Sequence, residues 1–156
     1  METNQPTEAE LTAMRDAVER ALQARRQSGK AGIAAAILRD GVVIGRGENE
    51  VRLQSDPTKH AEMVALTEAG HFVGSTDLSG CVIISTLQPC EMCLSAMRFA
   101  GIRRVIFAAT QAHVAGKYFV FPGLSIDDFI AAGEPFTAIG GTMEDDVLPL
   151  YRDGDE

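Results

Sequence analysis

Short β-branched runs alternate with helical stripes along this chain, and that alternation restricts it to a sheet covered by helices. The runs are Ile33 to Leu38, Val42 to Ile44, Cys81 to Leu87, Arg104 to Thr110 and Phe136 to Ile139. Arg39-Asp40-Gly41 joins the first two as a hairpin turn. Leu11, Met14, Val18, Ala21 and Leu22 recur at helical steps behind Thr7 and Glu10, which have capping-box spacing, and the stripe closes at Gly29. Met63, Val64, Leu66 and Thr67 predict a helix from near His60 to Gly70, and Pro89 opens another over Cys90 to Ala100. Ser125 begins a short helix to Ala132, with Asp127 and Asp128 in its favourable first turn. The polar first six residues read as a frayed lead-in, Glu48 to Lys59 as a loop, and the acidic tail after Thr142 as one last helical turn. The order α-β-β-α-β-α-β-α-β predicts an α/β fold, a three-layer α-β-α sandwich with helices over a mixed sheet.

A length of 156 residues suits a single domain over 1–156. Hydrophobic residues at 46% and charged residues at 23% exclude disordered and collagen-like architectures. Lys and Arg number 14 against 22 Asp and Glu, so the formal charge is −8, which works against a phosphate backbone as partner. Arg98, Arg103 and Arg104 form the only basic group near the motifs described below. No apolar run approaches the ~20 residues that span a bilayer. The first ten residues have neither a basic start nor an apolar signal core, so the expected compartment is the cytoplasm. Three cysteines, Cys81, Cys90 and Cys93, fit a reducing compartment rather than a disulfide framework.

The chemistry concentrates in His60-Ala61-Glu62 and Pro89-Cys90-Glu91-Met92-Cys93, each placed at a predicted helix N-terminus just after a loop. Cys90 and Cys93, three apart on a helix, point their sulfurs the same way and can share one ion. His60 supplies a third ligand, leaving one tetrahedral position for water. Helix N-terminal amides favour both thiolates, and zinc lowers the pKa of its water toward roughly 7. Glu62 is then the proton shuttle, taking a proton from the water and delivering it first to a ring nitrogen and then to a departing amine. Two other readings remain open on the residues alone. A thioredoxin-like pair leaves His60 and Glu62 without roles, and a structural zinc module needs a fourth protein ligand such as Cys81. Histidine-x-glutamate followed by proline-cysteine-x-x-cysteine resembles the signature of zinc-dependent deaminases.

On those residues the chain resembles the cytidine deaminase-like superfamily, and within it the nucleobase branch of cytosine, guanine and tRNA adenosine deaminases. The resemblance runs from about residue 9 to about 120 and is best over Asp56 to Glu62 and Thr86 to Cys93. It implies a five-stranded mixed sheet, one zinc per chain held by His60, Cys90 and Cys93 with Glu62 as proton shuttle, and a homodimer or larger homo-oligomer. It also places Asn49 where an amide binds the polar edge of a base, and His113 on a loop that approaches the substrate. Asp153 in the tail corresponds to an acidic residue that closes the pocket in some cytosine deaminases. Gln88 and Ala34-Ala35-Ala36 depart from the family pattern. Of the remaining candidates, Cys81 reads as a buried hydrophobe, His71 as a solvated or capping residue, and Tyr118, Phe119 and Phe121 as core or interface packing. The expected activity is hydrolytic deamination of a small amino-substituted heterocycle, first a cytosine-type base, then guanine, with tRNA adenosine as a further alternative.

Overall fold

The computed structural model describes residues 3–29 and 32–154. Helix α1 (Glu8–Ser28) starts at the Thr7–Glu10 capping box and ends at Gly29, whose φ of 72° closes the last turn. The hairpin of β1 (Ala34–Arg39) and β2 (Val42–Glu48) turns at Asp40 and Gly41, both at positive φ. Then follow α2 (Val51–Gln54), α3 (Ala61–Val73), β3 (Val82–Leu87), α4 (Glu91–Phe99), β4 (Arg104–Ala109), α5 (Ile126–Ala131), β5 (Thr137–Ile139) and α6 (Glu144–Tyr151). The sheet order is β2-β1-β3-β4-β5; β1 is antiparallel to β2 and β3, and β4 runs parallel to β3 and β5. This is the expected mixed five-stranded sheet between helical layers.

Period-two alternation divides the core. Ala35, Ile37, Ile83, Val105 and Phe107 pack toward Ala61, Ala65 and Ala69 of α3 and Leu94 and Met97 of α4. The intervening Ala36, Leu38, Ile84 and Ile106 meet Met14 and Val18 of α1 and Val147 and Tyr151 of α6. Both faces of the central strands are thus buried, which is why they read as continuous apolar runs.

Four expectations need correction. The loop from Glu48 to Lys59 contains the short helix α2, and α3 continues past Gly70 to Val73 before Gly74 caps it. The lead-in is anchored: Thr3 and Gln5 carbonyls accept from Arg104 at 2.6 and 3.0 Å. The tail is a two-turn helix whose Val147 and Tyr151, four apart, are fully buried. The Tyr151 hydroxyl donates to the Gly32 carbonyl at 2.5 Å and lies 2.8 Å from Thr86 Oγ1. Its acidic composition masked that apolar pair. Among the described residues no helix is long and apolar enough to cross a membrane.

Because β1 opposes both β2 and β3, strands β2, β3 and β4 all end at the same edge of the sheet. The chain leaves β2 toward α3 and leaves β3 directly into α4, so both helices begin at that edge. This is the position where ligands meet open α/β sheets.

Candidate active site at two helix N-termini

His60 and Cys90 are the N-cap residues of α3 and α4, both in extended backbone conformation and neither making a side-chain capping bond. Their side chains therefore point off the helix ends toward each other. The Cys90 sulfur lies 3.5 Å from His60 Nδ1 and 3.8 Å from the Cys93 sulfur, and Cys93 Sγ lies 3.7 Å from His60 Nδ1. A tetrahedral zinc, with Zn–S about 2.3 Å and Zn–N about 2.0–2.1 Å, sets two sulfurs about 3.8 Å apart and a sulfur and a nitrogen about 3.5–3.6 Å apart. The three measured edges match that tetrahedron, and two thiolates with one imidazole are a zinc donor set. Among the described residues these three are the one group of three or more such donors. Cys81 is buried in the core under α3 and α4, apart from the Cys90–Cys93 cluster, so it supplies no fourth ligand.

Hydrogen bonds with Cys93 and with the His60 ring outweigh burial at the Cys90 sulfur, so the Cys90 thiol is held down at about 4. The bond between the two sulfurs, together with burial, pushes Cys93 up. A divalent cation bound between the two sulfurs would favour the thiolate form of both. The bond to Cys90 also holds the His60 imidazole above its ordinary value.

Glu62, in the first turn of α3, is 4% exposed, and its burial pushes the carboxyl up to about 7. Cys90 acts in the same direction, while His60 and a hydrogen bond from the buried Ser85 oppose it. Ser85 is absent from the sequence-derived candidates. Its signal is a hydroxyl two residues after Ile83 in an otherwise apolar strand whose other hydroxyl, Thr86, turns to Tyr151 in the opposite layer.

The depth of α3 is set by β2. Gly45 and Gly47 share the strand face that meets Ala61, Ala65 and Ala69, so strand and helix backbones touch. No side chain separates them, and His60 and Glu62 are carried inward with the helix.

The other candidates stand outside the ligand group. Asn49 is exposed, and its Oδ1 accepts the Val51 N–H at 3.0 Å, which starts α2 and leaves both amide hydrogens uncommitted. His113 is exposed, with Nδ1 2.8 Å from Glu144 Oε1 and 2.9 Å from Thr110 Oγ1. Asp153 is exposed beyond α6. None of the three hydrogen-bonds to His60, Glu62, Cys90 or Cys93 among the described contacts. Gln88 exchanges hydrogen bonds with Gln111 at 2.9 and 3.4 Å, tying the end of β3 to the end of β4. Of the three aromatics, Phe119 covers Cys90 and Cys93, Tyr118 packs edge-on against Tyr151 at 5.8 Å, and Phe121 is exposed. Arg104 is buried in a bidentate pair with Glu10, at 2.7 and 2.9 Å, while Arg98 and Arg103 share the one carboxylate of Glu134, so two of the three positive charges are offset.

Comparison with known proteins adds relatives that differ in substrate. Guanine deaminase of Bacillus subtilis is 32% identical over 118 residues, 76% of this chain and 69% of that protein. The tRNA-specific adenosine deaminase of Aquifex aeolicus is 37% identical over 95 residues, 61% of this chain and 63% of that protein, so the match spans under two thirds of this relative. A solved structure from work on tRNA wobble-position deaminases superposes with a TM-score of 0.75 at 27% identity, over 89% of this chain and 98% of that one. The family profile for the cytidine and deoxycytidylate deaminase zinc-binding region matches residues 7–109, the stretch that builds the sheet through β4 and brings His60, Cys90 and Cys93 together, and this chain belongs to that family.

Proposed function

We propose that the chain is a hydrolytic deaminase of a free amino-substituted nucleobase, replacing an exocyclic amine with oxygen and releasing ammonia, with guanine the first ring to test. The observation that carries this reading is a three-donor site at tetrahedral spacing beside a fully buried glutamate. Three protein ligands, rather than four, are the pattern of a catalytic zinc, which when bound supplies an activated water at neutral pH. Burial holds Glu62 near the pH at which a carboxyl both accepts and returns a proton. It takes a proton from the attacking water, passes it to the ring nitrogen next to the reacting carbon, and protonates the amine as the carbon–nitrogen bond breaks. Ring carbon, amine and one water thus become a ring carbonyl and ammonia. Asn49, with its oxygen engaged by Val51, presents amide hydrogens to a ring carbonyl. His113 and Asp153 are given no step in this chemistry.

Guanine moves ahead of cytosine because a guanine deaminase is similar to this chain over 76% of its length. A free base is favoured over tRNA by the charge of −8 and by the pairing of Arg98, Arg103 and Arg104 with carboxylates. The likeness to the wobble-position deaminase structure supports tRNA adenosine as a second reading. In either case the chain is one domain of a cytoplasmic homodimer with one zinc per protomer. Ammonia release from guanine, cytosine, adenine and tRNA is the test. Guanine turnover is expected, and Glu62→Gln is expected to keep its zinc while losing about 100-fold or more in rate. A Glu62→Gln enzyme with undiminished turnover refutes the assignment, and salt-sensitive tRNA binding with adenosine deamination reverses the order of substrates.

A further inference from the structure

Glu91 is the first residue of α4, between one cysteine ligand and the turn that carries the other. Its Oε2 accepts the Phe121 N–H at 2.7 Å, and its Oε1 is buried without a partner among the described contacts. Residues 119–124 belong to no helix or strand, and their other backbone hydrogen bonds are local, Phe119 N–H to Gly116 at 3.1 Å and Leu124 N–H to Phe121 at 3.0 Å. Glu91 is therefore the one hydrogen bond from this segment to another element among the described contacts. Yet the segment places Phe119, only 7% exposed, in one cluster with Cys90 and Cys93, while Val120 and Phe121 are 78% and 59% exposed. Burial of the flanking residues does not hold it down.

We propose that Glu91 is a positioning residue whose carboxylate latches the 119–121 segment onto the first turn of α4, keeping Phe119 closed over the two cysteine ligands. A ring over the sulfurs excludes water and so strengthens the attraction between thiolate and cation, and it slows entry of a competing ligand. The retained buried oxygen is the consequence: a side chain placed to reach Phe121 from the start of α4 leaves its second oxygen buried without a hydrogen-bond partner among the described contacts. The latch concerns metal retention and is independent of which ring is deaminated.

The test is zinc transfer from the full-length, zinc-loaded protein to excess 4-(2-pyridylazo)resorcinol, read as a rate at neutral pH well below the melting temperature. Glu91→Ala is expected to release zinc about tenfold faster. Glu91→Gln keeps an amide oxygen for the Phe121 N–H and is expected to stay within about twofold of the parent if that bond is retained. Phe119→Ala should also accelerate release, and the double variant should be no faster than Phe119→Ala alone, because both changes remove one covering. Should Phe119→Ala not fold, Phe119→Leu takes its place in the same cycle. Release from Glu91→Gln as fast as from Glu91→Ala would show that charge rather than the tether retains the metal and would overturn the latch. So would a parent-like rate for Glu91→Ala, or full additivity in the double variant.

Discussion

Adding one methyl group to β2 should dislodge the metal site without touching any of its ligands. A Cβ built on Gly47 falls inside the Ala61 carbonyl oxygen, 2.6 Å from the Ala65 nitrogen and 3.0 Å from the Val64 Cβ. Ordinary contact begins near 3.4 Å, so α3 must withdraw by about 0.8 Å at Ala65, and further at Ala61, in the turn adjoining His60. Metal ligands tolerate about 0.2 Å of error, and a misplacement of about 1 Å costs about 100-fold in catalysis. Gly47→Ala is therefore expected to weaken zinc binding about 10- to 100-fold in a chelator competition, to reduce kcat/KM by about 100-fold, and to lose about 1–3 kcal/mol of stability from overpacking. Gly45→Ala meets the Ala65 oxygen at 2.5 Å and the Ala69 nitrogen at 2.8 Å, one turn further from the ligand, so its stability cost should be similar and its zinc defect smaller. Gly133→Ala, with nothing within 4 Å of the added atom, serves as the neutral control. Parent-like zinc affinity and melting temperature for Gly47→Ala would refute the argument that bare strand backbone seats the helix.

Two further outcomes follow from the buried polar contacts. Burial raises the Glu10 carboxyl, but bonds from Arg104 and Thr7 outweigh it and hold the group below the ordinary carboxylate range. A depressed folded-state value means that this stabilisation is complete above the unfolded value of about 4.3 and fades as pH falls through the folded one. Glu10→Ala should cost about 3–5 kcal/mol in urea unfolding at pH ~7, since it leaves Arg104 buried without its carboxylate, and should flatten the acid limb of the stability curve. A variant as stable as the parent at neutral pH would refute it. Tyr151→Phe removes the hydroxyl shared by Gly32 and Thr86 and should cost about 1–3 kcal/mol by thermal or urea unfolding. No loss would mean that the tail docks on apolar contact alone.

Much of this protein is legible in the order of its residues because the relevant signals are local. The capping box at Thr7, the Asp40-Gly41 turn and the β-branched runs each act within a few residues and appear where expected, except that β2 runs on past Ile44 through Gly45 and Gly47 to Glu48. The tail is helical as expected but one turn longer and docked, because Val147 and Tyr151 hold it against distant partners while its surface carries the acids. Arg104 is the converse case: in sequence it groups with Arg98 and Arg103, and only Glu10, far away in the chain, pairs with it and allows its burial.

The three candidate zinc ligands belong to the legible part: their residue types and short spacings state which donors can share an ion and at which helix ends they stand. What the sequence cannot state is how far apart those ends are. That distance depends on β1 opposing both of its neighbours, which gathers the strand exits at one edge, and on backbone contact between Gly47 and Ala61, which sinks α3 until His60 reaches the two sulfurs. The order of residues determined the chemistry by type and local geometry, whereas long-range packing decided its position, because close approach between strand and helix is a property of two segments at once.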